Sequence, residues 1–260
     1  MRLPLLLLAC GLYGLGALAA PPGAGAAADR VRDLARPWVM PVLWARAEAA
    51  QRAGTMAEAV TQGRLLLRLW PDWAEGHVLF ASRLAFEASL AERDPGLALD
   101  RLQAGLALLD EALAACRREP AEILVAMASF AEIRARQDPA LARAFAARLG
   151  VSAEAYADAC LARAEAVEPR VTVAERRAYL AARLIGAWLR AGAVGEARAT
   201  LALADQRLAG VRDQENAAAW RAALRRLDAS LAGRSQETLS DLARDPHLAE
   251  ILAPVLAAPR

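Results

Sequence analysis

Apolar and small residues recur along this chain in steps of three and four rather than in strict alternation, the mark of helices that bury one face. Met56, Ala59, Val60, Gly63, Leu66, Leu67 and Trp70 fall on one such stripe. Leu102, Leu106, Leu109, Leu113 and Cys116 form another, as do Val194, Ala197, Leu201, Ala204 and Leu208, and then Trp220, Leu224, Leu227 and Leu231. The stripes are separated by Gly, Asp-Pro and Glu-Pro breaks, which end and restart helices. β-Branched residues are scattered, so no segment asks to be a strand. The pattern predicts an all-α fold of antiparallel helix pairs stacked as a short α-solenoid.

The breaks themselves repeat. Pro71, Pro120 and Pro169 stand at equal intervals of 49 residues, each closing an apolar helix and preceding another. Phe80-Ala81-Ser82 reaches Asp94-Pro95 through a charged helix, and Met127-Ala128-Ser129 reaches Asp138-Pro139 through a shorter one. The second and third units therefore read as diverged copies separated by an insertion or deletion.

Leu43 to Pro71 resembles a tetratricopeptide repeat. Leu43 and Ala47 occupy the first helix, Gly54 the turn, Glu58-Ala59 the opening of the second helix, Leu66 its later part, and Pro71 its end. Ala178 to Ala209 resembles the same repeat, with Leu184, Ile185 and Trp188 on the first helix, Gly192 at the turn and Glu196-Ala197 after it. The second match lacks the terminal proline and has Ala181 where the first has Leu43. Small residues such as Ala47 and Ala59 let paired helices approach closely, and the glycines permit the tight turn. The units between are longer than the usual repeat, so the array is expected to be degenerate or elongated. The resemblance implies a protein or peptide partner held on a concave face lined by the first helix of each pair. Carried onto the two matching units, it implies partner contacts at Trp44, Glu48, Gln51, Arg52, Tyr179, Arg183 and Arg190.

Ahead of this array, Met1-Arg2 is followed by an apolar stretch from Leu3 to Ala20, which reads as an export signal or a membrane anchor of the bacterial type. Ala17-Leu18-Ala19 and Ala24-Gly25-Ala26 offer cleavage sites, and Leu7-Leu8-Ala9-Cys10 resembles a lipobox, so cleavage, retention and lipidation all stay open. The expected organisation is a signal or anchor over 1–20, a tether over 21–28, a repeat domain over 29–212 and capping helices over 213–260. Within the last part, helices are expected over 216–231, 237–243 and 247–256. The expected location is outside the cytoplasm, periplasmic or anchored to the inner membrane.

Composition narrows the chemistry. A formal net charge of +2 gives no field that would recruit nucleic acid, although every basic residue is arginine. Cys10, Cys116 and Cys160 form neither a disulfide framework nor a zinc pattern; Cys116 and Cys160 either pair or sit as buried thiols. His77 and His247 belong to no ligand motif, and His77 is expected to pack beside Trp73. There is no nucleophile elbow, phosphate loop or dinucleotide fingerprint. Glu92, Asp110, Glu111 and Glu132 read as members of solvated helix faces. Arg117-Arg118, Arg176-Arg177 and Arg225-Arg226 form either a basic strip or scattered surface charge. The sequence thus predicts no cofactor, no metal and no catalysis. It predicts a protein-interaction scaffold of the cell envelope or, alternatively, a structural accessory subunit of a secretion, pilus or polysaccharide-export assembly.

Overall fold

The computed structural model describes residues 26–116 and 119–257. The apolar stretch over 3–20 with Cys10 and the Ala17-Leu18-Ala19 site, residues 24 and 25 of the second cleavage site, and Arg117-Arg118 lie outside the described residues. Every regular element among the described residues is helical. The order is α1 (Ala26–Arg52), α2 (Met56–Leu69), α3 (Ala74–Ser82), a π-helical segment (Arg83–Ala88) and α4 (Ser89–Ala91), then α5 (Pro95–Ala115) and α6 (Pro120–Gln137). There follow α7 (Pro139–Leu149), α8 (Ala153–Val167), α9 (Val171–Arg190), α10 (Val194–Leu208), α11 (Gln214–Leu231), α12 (Leu239–Leu242) and α13 (Pro246–Leu256).

Helix boundaries follow local chemistry. Asp94 caps α5 by accepting from the amides of Gly96 at 2.7 Å and Leu97 at 2.9 Å, with Pro95 at the first helical position. Asp138-Pro139 starts α7 in the same way, through the amides of Ala140 and Leu141. The turn α1–α2 passes through Gly54 at φ +75° and the turn α9–α10 through Gly192 at φ +72°, a left-handed conformation that favours glycine. Both turns close alike: Thr55 N donates to Ala50 O, and Ala193 N to Trp188 O, each at 2.9 Å.

These turns pair α1 with α2 and α9 with α10, while α3 packs with α5 and α6 with α8. Each of the three spaced prolines precedes the first helix of a pair: Pro71 before α3, Pro120 at the start of α6, Pro169 before α9. The array is tetratricopeptide-like. Its excess length has a structural source. In the second unit the second helix, α5, runs for 21 residues, and in the third the corresponding stretch is broken into α7 and α8 at Gly150. The repeat spacing also reappears as bonds between neighbouring units: Arg170 to Glu122, 48 positions apart, and Arg207 to Asp158, 49 apart.

One apolar core runs from Leu43 through Leu180, and a second joins α9 to α10, α11, α12 and α13. α9 is the shared wall, giving Val173 and Leu180 to the first and Ala178, Ala181, Ala182 and Ile185 to the second. Of the residues that carried the repeat resemblance, Leu43, Ala47, Ala59, Leu66, Leu184, Ile185 and Ala197 are buried. The final helix α13 packs on α9 and α11. Gly186 is the point of closest approach, since a Cβ there would sit 2.8 Å from the carbonyl oxygen of Ile251.

Two polar groups depart from a simple reading. Glu132 is not on a solvated face; it is 8% exposed and receives Arg176 and Arg183, whose long side chains reach it from α9. Arg134 is 2% exposed and donates to Ser89 Oγ at 3.2 and 3.1 Å, while Ser89 donates to Ala98 O at 2.9 Å. Burial lowers the Arg134 pKa, and nearby Asp138 opposes that shift. Cys116 and Cys160 are separate buried thiols rather than a disulfide.

Candidate functional site

The sequence-predicted contacts divide into two groups. Those of the first unit come together. The Trp44 indole donates to Glu48 Oε1 at 2.8 Å, and the Arg83 guanidinium lies 4.9 Å from the centre of the Trp44 ring. Arg83 also donates to Gln51, which donates onward to Glu87. Glu48, Gln51, Arg52 and Arg83 line one cavity of about 430 Å³. Arg83 and Glu87 belong to the π-helical segment, so this polar seam joins the first unit to the second. Trp44 is half-buried there, 6.4 Å from the Trp73 ring and 5.3 Å from Phe80, and serves the junction between units.

The contacts on α9 lie apart from that seam and are held internally. Arg183 bonds Glu132 and lies 3.5 Å from Glu250; Arg190 lies 3.7 Å from Glu154. The Tyr179 hydroxyl accepts from Asn216 at 3.1 Å, and desolvation followed by the charge of Asp213 pushes its pKa up. Arg176, Arg177, Arg225 and Arg226 are likewise each placed against a carboxylate, which makes them separate pairs rather than a continuous basic strip. His77 Nε2–H donates to the Pro71 carbonyl at 3.1 Å, an oxygen that also accepts from Cys116 Sγ at 2.8 Å. Desolvation pulls the His77 pKa down, against that bond and the charge of Glu111.

A larger opening lies where no sequence match stood. Between α3 and α6 runs a groove of about 640 Å³ lined by Ala74, Val78, Leu79, Val125, Ala126 and Phe130 on its apolar part, with Glu75, Glu119, Glu122, Ser82 and Ser129 at its edges. Leu79 remains 40% exposed, and Phe130 forms the floor, stacked edge-on against Phe86 at 5.2 Å. Glu75 and Glu122, Val78 and Val125, and Ser82 and Ser129 are corresponding positions of the two diverged copies, so the groove is the repeat's own surface presented twice. The Phe80-Ala81-Ser82 and Met127-Ala128-Ser129 alignment carried this signal. The units that form the groove lack the standard glycine turn, so the repeat resemblance points to no contact residues in them.

The same strip changes character at α9. Glu122 receives Arg170, and Ser129 accepts from Arg176 at 2.7 Å, so arginines of α9 fill positions between α6 and α9 that stay open between α3 and α6. Beyond them α13 covers α9, seating Leu248, Ile251 and Leu252, all buried, and extending Glu250 to within 3.5 Å of Arg183 and 3.7 Å of Arg136. Among the described residues no cluster of three or more His, Cys, Asp or Glu side chains is placed to hold a metal ion.

No family model and no curated protein matches this chain. Two solved structures are similar to it. TTC0263, a thermophilic TPR protein in Thermus thermophilus, is 20% identical over 87% of this chain and 96% of that one, with a TM-score of 0.37. PilW, a widely conserved type IV pilus biogenesis factor, is 20% identical over 88% of this chain and 90% of that one, with a TM-score of 0.39.

Proposed function

We propose that the protein is a non-catalytic interaction module of the bacterial cell envelope that takes a segment of a partner protein into the groove between α3 and α6. In this reading residues 29–212 are the binding array, residues 213–260 cap it, and residues 3–20 direct or hold it outside the cytoplasm. The observation that carries it is an open apolar surface made by the first helices of two consecutive units, with half-exposed Leu79 on one wall and Val125 on the other. Apolar side chains left partly in water on a shaped surface favour a covering partner: full burial of an exposed side chain gains about 1.5–3 kcal/mol, and these half-buried ones gain part of that. The polar seam at Trp44, Glu48, Gln51 and Arg52 then serves as a neighbouring contact.

Affinity capture from envelope extracts tests this reading when the wild-type chain and the Leu79→Asp, Val125→Asp double variant are run in parallel. A protein retained by the wild type and lost with the variant is expected. Recovery of the same proteins by both, or of nothing by either, overturns the groove as the binding site. Recovery in fixed stoichiometry regardless of the groove supports a structural accessory subunit instead.

A further inference from the structure

The chain contains its own example of how this strip accepts a helix and a charge. α13 is a short amphipathic helix whose Leu248, Ile251 and Leu252 lie against α9 while Glu250 reaches out to Arg136 and Arg183. Arg136 sits at the far end of the α6 face that also carries Glu122 and Ser129, heptad-spaced positions that lie close to one line on a helix. The face of α6 therefore reaches a docked helix through one exposed ion pair, Arg136 with Glu250, at its arginine end, and its glutamate end lies along the groove. There Glu75, Glu119 and Glu122 edge the groove; Glu122 is taken by Arg170, while Glu75 and Glu119 have no ion-pair partner among the described residues. One unit further on, the positions matching this edge are supplied with guanidinium groups from within the chain, Arg170 on Glu122 and Arg176 on Ser129.

We infer that the groove between α3 and α6 receives an amphipathic α-helix of a partner protein that carries arginine or lysine on its flank, with its apolar side on Val78, Leu79 and Val125 and its cations at Glu75 and Glu119. The inference rests on the proposed groove reading and adds the conformation and charge of the occupant. Amphipathic helices are commonly taken up with their apolar side in a groove between helices, as α13 is by α9 and α11 in this chain. The apolar contact supplies most of the affinity, and the glutamates select the partner and speed its arrival.

Three fluorescein-labelled synthetic peptides of equal length, titrated against the full chain in detergent by fluorescence anisotropy, test the inference. The first has leucines at helical spacing and flanking arginines, the second has glutamate for each arginine, and the third is the arginine peptide with central prolines that forbid a helix. The first is expected to bind about tenfold more tightly than the second, an effect of several exposed ion pairs acting together. Its affinity falls as salt rises. Glu75→Gln with Glu119→Gln weakens it about fivefold, and Leu79→Asp abolishes it, with Val125→Ser on the opposite wall as a milder check that the loss comes from the groove. Circular dichroism of each variant checks that the array is intact. If the glutamate or proline peptide binds as well as the first and Leu79→Asp abolishes that binding, the inference falls and the groove reading stands. If no peptide responds to Leu79→Asp, both fall.

Discussion

The surface between α3 and α6 and the surface between α6 and α9 are built from corresponding positions of successive units, yet only the first is open. In the second, Arg170 and Arg176 occupy the edge, Arg183 reaches the buried Glu132, and α13 lies over α9. The difference comes from a few side chains at one face of α9 and from a glycine, Gly186, that lets α13 come close. A repeat can thus leave this surface open or cover it through side chains alone.

The comparison is most sharply tested by two leucines of opposite standing. Leu252→Ala, at 0% exposure on the buried side of α13, is expected to cost roughly 3 kcal/mol in urea unfolding, from lost burial and the cavity left behind. Leu79→Ala, at 40% exposure in the open groove, is expected to stay within about 0.5 kcal/mol and to weaken peptide binding instead. Equal costs would mean that the groove is packed in solution. Gly186→Val drives a side chain into the Ile251 backbone and is expected to cost roughly 2 kcal/mol by overpacking, with loss of hydrogen-exchange protection confined to α13. Protection lost equally in α3 would contradict the local character of that contact.

Glu132→Gln leaves Arg176 and Arg183 without their shared carboxylate. The buried pair suggests a larger penalty, but both arginines keep more than a quarter of their side-chain surface in water, so about 1 kcal/mol is expected. The smallest test concerns the junction of the first two units. Burial, with the charges of Asp72, Glu119 and Glu75, pushes the Cys116 thiol up to about 11 from its ordinary 9.0. The folded chain then holds a proton that the unfolded chain releases. Cys116 therefore favours folding fully below pH 9 and loses that contribution as pH rises through 11. Cys116→Ala is expected to flatten this alkaline decline; an unchanged decline would place its cause elsewhere.

Much of this was legible in the chain. The stripes from Leu102 to Cys116 and from Trp220 to Leu231 became α5 and α11, and Gly54 and Gly192 became left-handed turns closed by the same bonds. The three spaced prolines mark the first helix of three units. The candidate site was less legible. Trp44, Glu48, Gln51 and Arg52 do converge, but Arg183 and Arg190 are held by Glu132, Glu250 and Glu154, and the apolar groove of Val78, Leu79 and Val125 lay in units that lacked the standard turn. Glu132 looked like an ordinary surface carboxylate because its two arginine partners lie 44 and 51 positions away.

By itself the sequence determined most of the helices and their ends, and the pairing of α1 with α2 and of α9 with α10. Those follow from side-chain period, caps and glycine turns, all set by residues within a few positions of one another. Only the tertiary structure decided which helix faces meet, where α13 folds back, and which copy of the repeated surface stays open. Those outcomes depend on side chains about one repeat apart coming within hydrogen-bond reach and on space left beside Gly186, quantities that no local pattern records.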